Sequence, residues 1–234
     1  MKTESPRLLA RLAGVFFLLT ILGAIVAQGV VSETLINFRD AAATANNILA
    51  NRGVFQVGFT AYLIEMSCQL VTAALMYRVL RPVNPTLALV MLLFEMMAIV
   101  VKTSARVLFI TPLWVLSNPN ALGGVSTEQL QSIALVLLRI NDDGAATATA
   151  LFGFSAMLGG YLVFRSTFLP RWLGVLAMIS GLGWLTFLYP SVGRSLFIFV
   201  IIPALTASAA KILWLIVFGV NEEKFRAVEA GAEA

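Results

Sequence analysis

Long apolar stretches separated by short polar breaks run almost the whole length of the chain. A hydrocarbon core about 30 Å thick needs about 20 apolar residues in a helix rising about 1.5 Å per residue. Six stretches meet that length, at about 8–30, 53–77, 84–115, 143–165, 170–190 and 195–220. They predict an all-α fold, a polytopic transmembrane helical bundle forming a single integral membrane domain over residues 1–221. A short charged cytoplasmic tail follows over 222–234, and the end of the chain from Asn221, NEEKFRAVEAGAEA, reads as a frayed helix end or a disordered segment.

Two of the connections carry helical patterning of their own. In FRDAAATANNILANRG, Asp40 precedes an alanine-rich run ending near Gly53, the pattern of a capped short helix lying along the outer surface. In VSTEQLQSIALVLLRINDDGAATATALFGF, Ser126 and Gln129 have the spacing of a capping box. Leu130, Ile133, Ala134, Leu137 and Ile140 then recur at helical intervals, which predicts a second short amphipathic helix on the outer surface. An unbroken helix from there to Arg165 would be about 60 Å long, twice the bilayer. A bend near residues 141–144 is therefore expected.

Composition agrees with the pattern. Over 234 residues the chain is 59% hydrophobic and 12% charged, with mean hydropathy +0.91, whereas soluble domains are about 45–50% apolar and about 25% charged. With the N-terminus cytoplasmic, that side receives Lys2, Arg7, Arg11, Arg78, Arg81, Arg165, Arg171, Lys224 and Arg226. The other side receives Arg39, Arg52, Arg139 and Arg194, so positive residues favour both termini inside. Topology thus accounts for the net charge of +4 and the pI near 9.6, and no aromatic-interleaved basic run argues for nucleic acid. The basic start and the apolar run from Leu12 loosely fit a secretory signal, but the run is long and five more follow it. It reads as an uncleaved first helix. The single cysteine, Cys68, allows no intramolecular disulfide.

The candidate chemistry lies inside the apolar runs. FEMMAIVVKTSARVLF, residues 94–109, carries Glu95, Lys102 and Arg106 at i, i+7 and i+11, which fall within about 20° of one azimuth on a helix. Glu65, Gln69 and Thr72 share a second polar face. A charge at the bilayer centre costs between about 3 and 17 kcal/mol, so these faces point into the bundle or into water. Counting depth along each helix puts Glu65, Glu95 and Lys211 in a middle layer, and Lys102, Arg106, Asp142 and Asp143 in an outer one. Asn141 adjoins the two aspartates. Small residues four apart, Gly144 with Ala148 and Ala156 with Gly160, allow close helix packing.

Absences narrow the chemistry. The chain has no histidine and one cysteine, which removes histidine-held haem, histidine zinc sites, Ser-His-Asp triads and zinc-thiolate clusters. No phosphate-cradling G-x-x-x-x-G-K-[ST] loop is present. No cofactor or metal is expected.

ARLAGVFFLLTILGAIVA, DAAATANNILA, LMYRVLRPVNPTLALV and GYLVFRSTFLPRWLGVLAMISGLGWL together resemble a bacterial membrane family, the domain of unknown function 4386. The resemblance spreads over essentially the whole chain and implies a multi-pass fold in the bacterial cytoplasmic (inner) membrane, with no established activity. It also implies a histidine just before the fourth span, where this chain has Asn141.

Three readings follow. In the first, a charged intramembrane cavity binds or passes a small polar or zwitterionic molecule or a lipid headgroup, with Lys102 and Arg106 holding anionic groups and Glu65 and Glu95 a cation or proton. In the second, the charges pair internally and the bundle is structural, or meets a membrane protein partner or another copy of itself as a homo-oligomer. In the third, the carboxylates serve an intramembrane enzyme.

Overall fold

The protein is described here by a computed structural model covering residues 5–232. Lys2, counted above for orientation, and Glu233 of the tail lie outside the described residues. Among the described residues there is no strand, and six helices are long and apolar enough to cross a membrane. They are α1 (Pro6–Leu35), α3 (Arg52–Leu80), α4 (Pro85–Ser117), α5 (Thr127–Arg165), α6 (Arg171–Leu188) and α8 (Phe197–Val217). Three shorter helices accompany them: α2 (Ala41–Ala50), α7 (Pro190–Ser195) and α9 (Glu222–Ala232).

The cap signals work as their chemistry requires. Asp40 Oδ1 accepts from the Ala43 backbone N–H at 2.8 Å and starts α2. Ser126 and Gln129 exchange hydrogen bonds of 2.8 and 3.2 Å at the head of α5. Beyond that box the structure departs from expectation. Helix α5 continues for 39 residues with no break at 141–144, so the second amphipathic segment is the first part of a spanning helix and not a separate surface element. No proline lies in this stretch, and Asn141 spends its side chain on a neighbouring helix, so it does not compete for its own backbone.

Helix α1 holds an unexpected feature. From Ile25 to Ser32 it widens to a π-helix, with the Glu33 N–H bonded to the Gln28 carbonyl and Ser32 Oγ donating to the Ala27 carbonyl at 3.0 Å.

The helices group into two compact units. One comprises residues 5–19, 68–99 and 146–232. Its core includes Leu9, Ala13, Met76, Leu80, Leu162 and Leu215. Here α5 and α6 meet backbone to backbone: a Cβ on Gly174 would sit 2.5 Å from the Gly160 carbonyl oxygen, and one on Gly160 would sit 2.8 Å from that of Gly174. Such backbone approach is the close dispersion contact on which helices with apolar outer faces pack. Gly219, at φ +66, ends α8 with its N–H on the Trp214 carbonyl. The tail then folds back as α9, correcting the expectation of a frayed or disordered end. Asn221 accepts from the Lys224 N–H at 3.0 Å, and Phe225, 4% exposed, packs edge-on against Phe168 at 5.1 Å. Ser5 donates a hydrogen bond to Glu222.

The other unit comprises residues 20–67 and 100–145. Its core is aromatic: Phe55 stacks on Phe109 at 4.5 Å, and Tyr62 meets Phe109 edge-on at 5.2 Å. Close helix approach recurs here too. A Cβ on Gly58 would lie 2.6 Å from Val31, and one on Gly144 would lie 2.6 Å from the Cβ of Ala105.

Two outcomes are expected. Gly174→Ala destabilises by about 1–3 kcal/mol, because the new methyl meets backbone; Gly53→Ala, whose methyl meets nothing within 4 Å, is the control, and detergent-solubilised thermal melts read the difference. The second outcome concerns α9. The Ser5 hydroxyl, with help from Arg7 and Arg226, holds the Glu222 carboxyl below its ordinary range. Its folded value is thus below its unfolded one, and the contact is fully present above the ordinary carboxylate range and lost as pH falls through the depressed value. A spin label at Ala227→Cys in a Cys68→Ala background should gain mobility only in that acidic window, and Glu222→Gln should remove the step. Mobility independent of pH would show that Phe225 packing alone holds α9.

Candidate functional site

The unit of residues 20–67 and 100–145 carries a polar ladder between α3 and α4. Glu65 and Tyr62 lie one turn apart on α3, and Lys102 and Arg106 lie one turn apart on α4. Lys102 Nζ pairs with Glu65 Oε1 at 2.5 Å. The next rung is Arg106, whose Cζ sits 3.6 Å over the centre of the Tyr62 ring, a cation–π contact that strengthens when desolvated. Two rungs, three residues apart on one helix and four on the other, fix the register of the antiparallel pair.

Each rung is closed off by another helix. Gly23 brings α1 against the base of the Glu65 side chain: a Cβ there would lie 3.2 Å from that of Glu65. Glu65 is accordingly 3% exposed, and its Oε2 has no hydrogen-bond partner. From α5, Asn141 Oδ1 accepts from Arg106 Nη1 at 2.8 Å. Arg106 is 2% exposed and its Nε is likewise without a hydrogen-bond partner. The widened turn of α1 presents Gln28 and Ser32 to the same place. Tyr62 Oη donates to Gln28 Oε1 at 2.7 Å and lies 2.9 Å from Ser32 Oγ.

Beside Arg106 these side chains enclose a cavity of about 80 Å³, with Gln28, Glu33, Tyr62, Arg106, Asn141 and Asp142 in its wall. Arg106, Tyr62 and Asn141 are buried and form its floor, whereas Gln28 and Glu33 are exposed and mark its mouth. Gln28 Nε2 donates to Glu33 Oε1 at 3.3 Å. At a liquid share of about 30 Å³ for each water, the space holds roughly three.

The remaining candidates are placed differently. Glu95 falls in the unit of residues 5–19, 68–99 and 146–232, where it accepts hydrogen bonds from Gln69 and Ser155 and feels the charge of Lys211. Lys211 Nζ lies 4.9 Å over the Phe17 ring. The middle layer expected from depth counting is therefore divided, since Glu65 takes Lys102 as its partner and Glu95 has partners of its own. Asp142 lines the cavity; Asp143 is exposed and outside its wall. Among the described residues, no group of three or more His, Cys, Asp or Glu is placed to hold a metal.

The family model described as Domain of unknown function (DUF4386) matches residues 12–219. The chain belongs to this family. No curated protein and no solved structure matches it. In this DUF4386 member, Asn141, the residue singled out by the family resemblance, is the direct partner of the buried arginine.

Tyr62, Gln28, Ser32 and Glu33 were not among the sequence candidates. Tyr62 extends the Glu65 face by one turn, and Gln28 is the polar break in IVAQGVVS. Either signal could have flagged them. The π-turn that aims Gln28 and Ser32 has no sequence signature.

Removing one partner of a buried ion pair leaves the other uncompensated, at a cost of about 3–5 kcal/mol. Lys102→Met in this DUF4386 protein should lose that much in detergent unfolding titrations, while Glu65→Gln combined with Lys102→Met recovers most of it. A double variant as unstable as the sum of the singles would mean that the two side chains are not coupled.

Proposed function

We propose that this is an integral protein of the bacterial cytoplasmic membrane, with both termini cytoplasmic, whose cavity beside Arg106 binds or passes a small polar molecule or a lipid headgroup. An even number of candidate spans is consistent with both termini on one side, and the Lys and Arg bias of the loops supports that side being the inner one. One observation carries the binding reading. A guanidinium 2% exposed, with an unpartnered Nε, stands in the wall of a polar cavity. Burying such a charge costs several kcal/mol unless its surroundings satisfy it, and the space beside Arg106 admits an anionic group that would do so.

Glu95 supports a different role for its own cluster. Its carboxylate is met by Gln69, by Ser155 and by the charge of Lys211, the internally satisfied arrangement of a structural polar core. The glycine faces of α5 are likewise taken up within the chain, by Gly174 and by Ala105, which leaves them unavailable to a partner protein.

Native mass spectrometry of the protein from mild detergent tests the proposal. A co-purifying anionic species should be present, lost in Arg106→Met and retained in Lys211→Met. A bare protein mass in the unsubstituted chain, or a species indifferent to Arg106, would overturn it.

A further inference from the structure

Helix α3 is 29 residues long, about 43 Å at 1.5 Å per residue, which matches a bilayer of about 40–45 Å counted with its headgroups. Glu65 stands near its middle. Arg52, the first residue of α3, is then about 20 Å away along the axis, at the level of the headgroups. The Glu65–Lys102 rung sets α4 antiparallel to it, so the stretch of α4 from Trp114 to Ser117 ends level with Arg52.

Between these helix ends runs an open groove of about 350 Å³, within the range of about 300–1,000 Å³ of ligand clefts. Arg52 and Gln56 lie one turn apart on α3, and Ile110, Leu113, Trp114 and Ser117 recur at i, i+3, i+4 and i+7 on α4, so each helix gives the groove one face. The two ends of the groove differ chemically. Arg52, with Ser117 and Asn118, is polar at headgroup level, whereas Ile110 and the buried Leu113 continue it as an apolar strip towards the hydrocarbon. Trp114, 55% exposed, stands between them with an apolar body and one N–H donor.

Charge selects the occupant. Among the described residues of the wall, Arg52 alone is charged. Its Nε donates to the Leu49 carbonyl at 3.3 Å, a bond that uses none of the four Nη hydrogens of the guanidinium. That fork matches a phosphate bidentately, and no carboxylate in the wall repels the phosphate or favours an attached ammonium. A soluble phosphate compound would leave the apolar strip bare; a lipid covers both ends.

We propose that this groove binds an anionic glycerophospholipid, its phosphodiester on Arg52 and the start of one acyl chain along Leu113 and Ile110. The proposal rests on the membrane placement above and is independent of the Arg106 cavity, whose wall shares no residue with the groove.

The test places the full chain in nanodiscs of equal phosphatidylglycerol and phosphatidylethanolamine and reads the lipid it keeps on release by native mass spectrometry. The parent should retain phosphatidylglycerol in preference. Arg52→Gln, at an exposed position, should melt like the parent in lipid-free detergent but lower that retention about tenfold, the scale of one hydrogen bond to a charged group. Arg106→Met and Arg39→Gln, the latter an exposed cation outside the groove, should leave retention unchanged, and excess glycerol phosphate should not displace the lipid.

Equal retention of the two lipids would mean annular contact only, and equal loss in Arg39→Gln would mean diffuse attraction to a basic surface; either overturns the proposal. Displacement by glycerol phosphate would overturn it in favour of a site for phosphate alone. Loss in Arg106→Met with Arg52→Gln unaffected would move the lipid to the cavity and overturn the groove. A chain that does not enter nanodiscs would overturn the membrane placement as well.

Discussion

Glu65 and Lys102 are the pair on which this arrangement depends. Neither charge is free to leave: Glu65 is buried where Gly23 brings α1 against its Cβ, and the ammonium reaches its carboxylate at 2.5 Å from the facing helix. With Lys102 held, Arg106 one turn along has one direction in which to point, and Tyr62 and Asn141 receive it there. Sliding α3 against α4 by a turn would break both rungs at once, parting Lys102 from Glu65 and Arg106 from Tyr62. The register of two long helices, and with it the floor of the cavity, is thus set electrostatically, while glycines and alanines let the backbones come close enough for the contacts to form.

The two polar clusters show that buried charge need not mean one thing. Glu95 is surrounded by donors and by a lysine within electrostatic reach, so its site is complete without a ligand. Around Arg106 the donors outnumber their acceptors at the buried end, the acceptors collect at the exposed end, and space remains between them.

Much of this was visible in the residues alone. Glu65, Glu95, Lys102 and Arg106 stand out because ionisable groups are costly in an apolar run, and the six spans follow from length. Pairing was not legible. Depth along a helix says at what level a residue lies but not which neighbour its face meets, so Glu65 was grouped with Lys211 when its partner was Lys102. Helix α5 was expected to bend at 141–144 because an unbroken helix would be about twice as long as a bilayer is thick; it runs unbroken, with Asn141 committed to Arg106 and Gly144 packed on Ala105. In the tail, six charges over 222–234 masked the spacing of Phe225 and Val228 that docks it.

The π-turn of α1 adds a residue to a helix without lengthening its hydrogen-bond ladder, and so changes the helix's phase. An α-helix advances about 100° per residue, so the stretch after Ser32 is rotated by about that angle from where the stretch before Ile25 would have carried it. The two ends of α1 consequently obey separate face patterns, and no single hydrophobic stripe runs its length. Removing one residue between Ile25 and Ser32 would rejoin the phases. It would also turn Glu33 about a quarter of a circle away from the cavity mouth, so that a change with no charge in it would rewrite the electrostatics of the site.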